Sequence, residues 1–362
     1  MALIDATIWN DYQANNATNE KRFDEKGVIN LVNRSTPFCT FITPTIADKF
    51  RTFSNDTAIK IPVIQDQTVS VVTTPGFTFI PDNLTTSDEY SFIVYDAFTG
   101  FRHYPGLYAN NMIDEQFDLN VKMTNCANAL ADKVEEILIS VMDARRTQVL
   151  DFTTQINQSS GGGTYTFDSG TDILTINKAA QQETMFSSLT AVMQANKLGG
   201  QYATVASPAG LAVQKLEALK FGAENSKNLQ ALGMLPADDM HNSHNIAQGS
   251  DNFLGYWVRK GAIGMFTNHP YNFRENTNVG TAKWSVSDVN LPFLNARANI
   301  YVDEFKANAT GLVGVGSGNN SNLIMSAGME MAIWFRFYVV YPYNSSLSTR
   351  ANDIVKIKGL TS

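Results

Sequence analysis

Between Leu107 and Ser160 the chain contains neither glycine nor proline, the two residues that most readily interrupt a helix. Within that window, Met112 to Leu150 reads as one helix. Phe117, Val121, Leu130, Val134, Ile137, Leu138 and Val141 recur at three- and four-residue intervals and form its predicted core-facing stripe. Lys122, Asp132, Lys133, Glu135, Glu136 and Arg145 fall mostly off that stripe. About 40 residues rising 1.5 Å each make a rod of roughly 60 Å, whereas a compact chain of 362 residues has a radius of gyration of only roughly 21 Å. The fold must be elongated around that rod.

Ahead of the rod, from Ala58 to about Tyr108, the apolar period changes to two, with β-branched and aromatic residues. Ile59, Ile61 and Val63 are followed by Val69 and Val71, then Phe77 and Phe79, then Tyr90, Phe92 and Val94. Pro62, Pro75 and Pro81 confine these runs to edges or bends. The segment reads as a ribbon of two or three strands. An apolar ribbon with open edges is an aggregation template unless a partner covers it, so Val69, Val71, Phe77, Phe79 and Phe92 are expected to contact a second copy. Residues 1 to about 50 combine a short apolar cluster (Val28, Ile29, Leu31, Val32) with a Pro-containing run from Thr36 to Pro44. They read as an arm that gains order by packing on something else.

After the rod, TYTF, DSGTD and ILTI spell a hairpin over Thr164 to Ile176. From Asn177 to Gly222 the pattern is that of an α/β unit: a helix carrying Met185, Leu189, Val192 and Met193, the stop signal Gly199-Gly200, and a strand from Tyr202 to Ala206. A second helix is capped by Ser207, with Pro208 in its first turn. Later strands are expected at Phe253 to Phe266, Lys283 to Val286, Ala298 to Phe305, Met329 to Tyr341 and Ile354 to Lys358. In Met329 to Tyr341, one face carries Met329, Met331, Ile333, Phe335, Phe337, Val339 and Tyr341. That apolar face is expected to lie against the long helix.

Charged residues are 17% of the chain against about 25% in typical domains, so the surface is rich in uncharged polar groups suited to protein contact. The net charge of -7 argues against a dedicated nucleic-acid binder, whose affinity comes from Lys and Arg on phosphates. Cys39 and Cys126 form neither a disulfide framework nor a metal pattern. The start MALIDATIWNDYQ lacks the basic and apolar regions of a signal peptide. Met329 to Tyr343 is too short and too interrupted to span a bilayer.

The chain contains no HExxH, GxSxG, GxxxxGK[ST] or paired-Cys zinc pattern. Gly161 to Gly163 and the stretch from Gly311 to Asn320 lack a phosphate-binding lysine and read as loops. His241 and His244, with Asp238 and Asp239 nearby, are the one cluster with metal-ligand spacing. Their loop-like setting, LPADDMHNSHN, favours a solvated polar loop. No catalytic, cofactor-binding or metal residue is assigned.

The succession of arm, ribbon, long helix, compact α/β unit and returning strands resembles the major capsid proteins of tailed double-stranded DNA bacteriophages with the HK97-type fold. The runs QYATVASPAGLAVQKL and GYWVRKGAIGMF resemble passages of that family's axial domain. The resemblance implies an α+β chain with an N-terminal arm at 1–50, an extended β-loop at 51–110 and a peripheral domain at 111–177 holding a spine helix at 112–150. It further implies an axial domain at about 178–310, and strands returning to the peripheral domain at 311–362. It implies hexamers and pentamers forming an icosahedral head around non-specifically held DNA, with portal and scaffold proteins as partners and room for decoration proteins. The setting is a virion assembled in a bacterial host's cytoplasm, with no cofactor and no membrane. Lys60 is the one lysine between residues 50 and 121, but with no acceptor identified the family's crosslinking is not carried over. Two alternatives remain open: an encapsulin-like compartment of the same fold, and an enzyme of unknown chemistry with a β-rich domain.

Overall fold

The computed structural model describes residues 27–32, 58–64, 73, 87–105, 112–146, 165–168, 170–177, 202–213, 240–259, 262–267, 284–291, 296–306, 327–341 and 354–360. They form an α+β fold of two sheets and one dominant helix. The helix, α2 (Met112–Arg145), has 34 residues and is therefore about 51 Å long. Residues 147–150, expected to continue it, lie outside the described residues.

The first sheet places β1 (Ala58–Ile64), β2 (Ser87–His103), β11 (Ala327–Val340), β10 (Ala296–Lys306) and β9 (Trp284–Leu291) side by side in that order, and β8 (Gly264–Thr267) also pairs with β11. All its pairings are antiparallel. Strand β2 changes partner along its length. Ser87 to Ile93 pair with β1, whereas Val94 to His103 pair with β11. Gly100 lies where β2 and β11 approach closely: a Cβ there would sit 2.6 Å from the Met331 carbonyl oxygen.

Helix α2 lies mainly across β2 and also touches β11. Its buried residues include Leu119, Met123, Ala127, Leu130, Val134, Leu138 and Val141. At about 100° per residue these fall within roughly 60° of Val134. On the strand side, Met331, Ile333, Phe335, Phe337 and Val339 alternate into the same core, as the period-two pattern requires.

The second sheet has the order β3 (Tyr165–Asp168), β4 (Ile173–Ile176), β12 (Ile354–Gly359), β7 (Phe253–Arg259), β5 (Tyr202–Ala206) and β6 (Met240–Asn242). β12 runs parallel to β4 and antiparallel to β7. The β3–β4 hairpin therefore shares a sheet with β5 to β7, and β9 and β10 share one with β2. This hydrogen bonding cuts across the sequence-order divisions at 177/178 and 310/311. After β5 the chain enters the expected helical turn at 208–213, where the Ser207 carbonyl accepts the Leu211 N–H at 3.0 Å.

The short helix α1 (Gly27–Val32) corrects the reading of the N-terminal cluster as an arm packed elsewhere. Val28, Ile29 and Leu31 are buried in this chain's own core, between α2 and strands β5 and β6. Glu135 of α2 is fully buried beneath it. Its two carboxylate oxygens accept the Val28 and Ile29 N–H groups at 3.0 and 2.9 Å, satisfying donors that a helix start leaves orphaned. A Cβ at Gly27 would meet the Asn242 carbonyl oxygen at 2.6 Å, so only glycine lets α1 approach β6 this closely.

Candidate assembly surfaces

The β1–β2 ribbon is the first surface. Seven consecutive residue pairs, from Ala58↔Ile93 to Ile64↔Ser87, form a ladder about 23 Å long. Among the described elements, the substantial contacts of β1 are with β2 alone. The ribbon is thus an extension of the sheet past the point where β11 ends its pairing at Val94. Val69, Val71, Phe77 and Phe79 lie in sequence between the two ribbon strands and outside the described residues.

Phe92, expected to meet a second copy, is instead covered within this chain. It is 5% exposed and packs edge-to-face on Tyr341, with ring centroids 5.9 Å apart. It stands two residues before Val94, where β2 joins the buried sheet, so the chain's own core covers it.

The helix stripe is also corrected at its start. Leu130, Val134, Leu138 and Val141 are buried, and Ile137 packs partly buried against the core. Phe117 and Val121 are 70% and 41% exposed. They lie about 100° and 140° around the helix from Val134, so the three-and-four spacing that links them to each other does not link them to the stripe. Leu119 and Met123 occupy the core positions instead.

The side of the first sheet away from α2 is a second surface. Phe98 of β2 is 68% exposed there, directly opposite Trp334 of β11. On one side of that pair, Arg336 bonds Asp96 through Nε at 2.7 Å, and Trp334 Nε1 donates to the same carboxylate at 2.9 Å. The Arg336 guanidinium also lies 4.7 Å from the Trp334 ring centroid. On the other side, Arg102 and Glu330 pair at 3.5 Å. Sequence reasoning missed Phe98; the alternation Asp96, Phe98, Gly100, Arg102 carried the signal.

Polar clusters fasten each end of α2. At its start, the buried His103 at the end of β2 has Nε2 2.8 Å from Glu115 Oε1 and Nδ1 3.6 Å from Asp118 Oδ2, and Lys122 lies 2.6 Å from that Asp118 oxygen. At its end, Asp143 Oδ1 accepts from Lys356 Nζ at 2.6 Å, Tyr256 OH at 2.9 Å and Arg146 Nε at 2.9 Å. Burial pushes the Asp143 carboxyl up, but the Lys356 and Tyr256 hydrogen bonds and the Lys356 and Arg146 charges outweigh it. It therefore sits below the usual carboxylate range. Burial, then the Asp143 charge and hydrogen bond, push Tyr256 upward. Arg146 reaches on to the Thr171 and Asp172 carbonyls in the β3–β4 turn, so one helix end grips three parts of the second sheet.

His241 lies in β6, half-buried, and His244 is exposed; Asp238 and Asp239 are outside the described residues. No group of three or more His, Cys, Asp or Glu able to hold a metal occurs among the described residues. Cys126 is buried and its thiol is pushed up by burial. No described helix is long and apolar enough to cross a membrane.

No protein-family model matches the chain, and no curated protein matches it. Solved structures do. One from Mycobacterium phage Che8 is 10% identical, covering 85% of this chain and 87% of that chain, with a TM-score of 0.45. The capsid structure of the cyanophage P-SCSP1u is 13% identical, covering 86% of each chain, with a TM-score of 0.44. The capsid of Ralstonia phage GP4 is 8% identical, covering 84% of each, with a TM-score of 0.43.

Proposed function

We propose that this chain is a structural subunit that self-assembles through hexamers and pentamers into an icosahedral phage head of the HK97 type, enclosing double-stranded DNA. The observation that carries the reading is the β1–β2 ribbon, anchored in the buried sheet through a single continuous strand and extending beyond it. An isolated two-stranded ribbon is at best marginally stable in water. A second copy supplies its cover. Each 100 Å² of apolar surface buried there contributes about 2.5 kcal/mol before association costs, and many such contacts accumulate in a closed shell.

In this reading α2 is the spine of a tile, and Val69, Val71, Phe77 and Phe79 contact a neighbour. Portal, scaffold and decoration proteins are its partners, and the virion is its location. The net charge of -7 suits a shell whose DNA is packed by force rather than attracted. The test is negative-stain microscopy of the purified protein. Shells, tubes or capsomer rings are expected. A stable 39.9 kDa monomer at high concentration overturns the proposal, and particles holding a cargo enzyme instead of DNA reassign it to a cellular compartment.

A further inference from the structure

The outer side of the first sheet carries four cross-strand rows, fixed by the pairing of β2 with β11: Asp96 with Arg336, Phe98 with Trp334, Gly100 with Ala332, and Arg102 with Glu330. The first and last rows are ion pairs with their signs exchanged, Asp then Arg at one end and Arg then Glu at the other. The two middle rows pair large with large and small with small. We infer that this face docks onto the same face of a second copy, about a twofold axis lying across the strands over the Thr99–Ile333 pair. This contact goes beyond the ribbon overlap and does not depend on it.

That rotation lays β2 over β2 and β11 over β11, with the row order reversed. Asp96 then faces Arg102 of the second copy, and Arg336 faces Glu330 of the second copy. Phe98 comes over Gly100 of the second copy, and Trp334 over Ala332 of the second copy, so each bulky ring meets a shallow site. An isologous contact requires such self-complementarity, and aligned packing of two sheets supplies the geometry. Rotating instead about an axis along the strands stacks β2 on β11 without reversing the rows. Asp96 would then face Arg336 of the second copy, and Phe98 would oppose Trp334 of the second copy, ring on ring. The first arrangement satisfies charge and shape together.

The four rows span about 20 Å along the strands and, with β10 alongside, about 14 Å across them. This is well below the roughly 800 Å² per partner of a standard interface. The pairing is accordingly weak and concentration-dependent by itself.

The test is sedimentation velocity across a concentration series below the onset of particle formation, using the full chain. One variant carries Arg102→Glu with Glu330→Arg; another carries Asp96→Arg with Arg336→Glu. Each keeps its in-chain ion pair but sets like charges across the contact. Each alone is expected to self-associate at least about tenfold more weakly than the parent. An equimolar mixture restores association, because in a mixed pair the two reversed rows face each other with opposite signs, as do the two unreversed rows. Circular dichroism and thermal unfolding check that both variants fold; if either does not, Phe98→Ser carries the test, at a side chain too exposed to be needed for folding. The inference is overturned by a parent that stays monomeric, by variants that associate as the parent does, by a mixture that fails to recover, or by unchanged association of Phe98→Ser. It is equally overturned if Phe79→Asp abolishes the association and the charge reversals do not, which would assign the face to residues 65–86 of a neighbour.

Discussion

Glu135 shows how one residue can decide the placement of a whole segment. By helix position it belongs off the apolar stripe, yet it is fully buried because α1 covers it and presents two N–H groups to its carboxylate. Glu135→Ala strands those donors, and the loss of two charge-assisted hydrogen bonds is expected to cost about 2–4 kcal/mol, measurable by denaturant unfolding. Hydrogen exchange should then lose protection first at Val28 and Ile29. Asp143 acts at the other end of the helix, and its carboxyl is held below its ordinary range. A depressed folded-state value adds stability above the unfolded value and surrenders it as pH falls through the folded one. The parent should therefore lose stability on acidification below the ordinary aspartate range more steeply than Asp143→Asn does, as followed by thermal unfolding against pH. The side chain is 40% exposed, so solvent screening holds the neutral-pH cost of that substitution to about 1–2 kcal/mol.

At the scale of elements, the helix separates residues that look alike in sequence. Val134→Asp places a charge in the fully buried stripe and is expected to cost more than about 4 kcal/mol and abolish the fold. Phe117→Asp, on the exposed side, should change stability by no more than about 0.5 kcal/mol. Circular dichroism of the two variants checks the stripe. Strand β5 was legible to the residue from Tyr202 to Ala206, and so was β4 of the hairpin, with β3 read one residue early as TYTF, because β-branched runs bounded by Gly and Asp signal locally. The start of the stripe was misread because Phe117 and Val121 keep helical spacing with each other while drifting around the axis from Val134. The covering of Phe92, the burial of Glu135 and the exposure of Phe98 were not legible. Each depends on which strand or helix arrives from far away in the chain, and no local pattern encodes that.

For the whole molecule, under the proposed function, the division of labour along β2 separates folding from assembly. The part paired with β11 lies in the core, and the part paired with β1 extends beyond it. Phe79→Asp, in the segment linking the two ribbon strands, should leave a soluble, cooperatively folded subunit whose yield of shells or rings in the microscope falls at least about tenfold. Equal loss of soluble fold in Phe79→Asp and Val134→Asp would place that segment in an ordinary core. The two-sheet plan was only partly visible beforehand. The long strand and the long helix announced the first sheet, but the second is closed by β12, whose neighbours β4 and β7 were made much earlier in the chain.

That position of β12 has a consequence in time. The hairpin ending at Ile176 and the strand ending at Arg259 receive their shared neighbour only when residues 354–359 emerge. At about 5–20 residues per second of synthesis, the delay is on the order of 5 to 40 s. Through most of that interval β11 is unmade as well, so the ribbon lacks its anchor in the first sheet and the second sheet lacks its closing strand, and the order of synthesis itself keeps an unfinished copy from being a finished subunit.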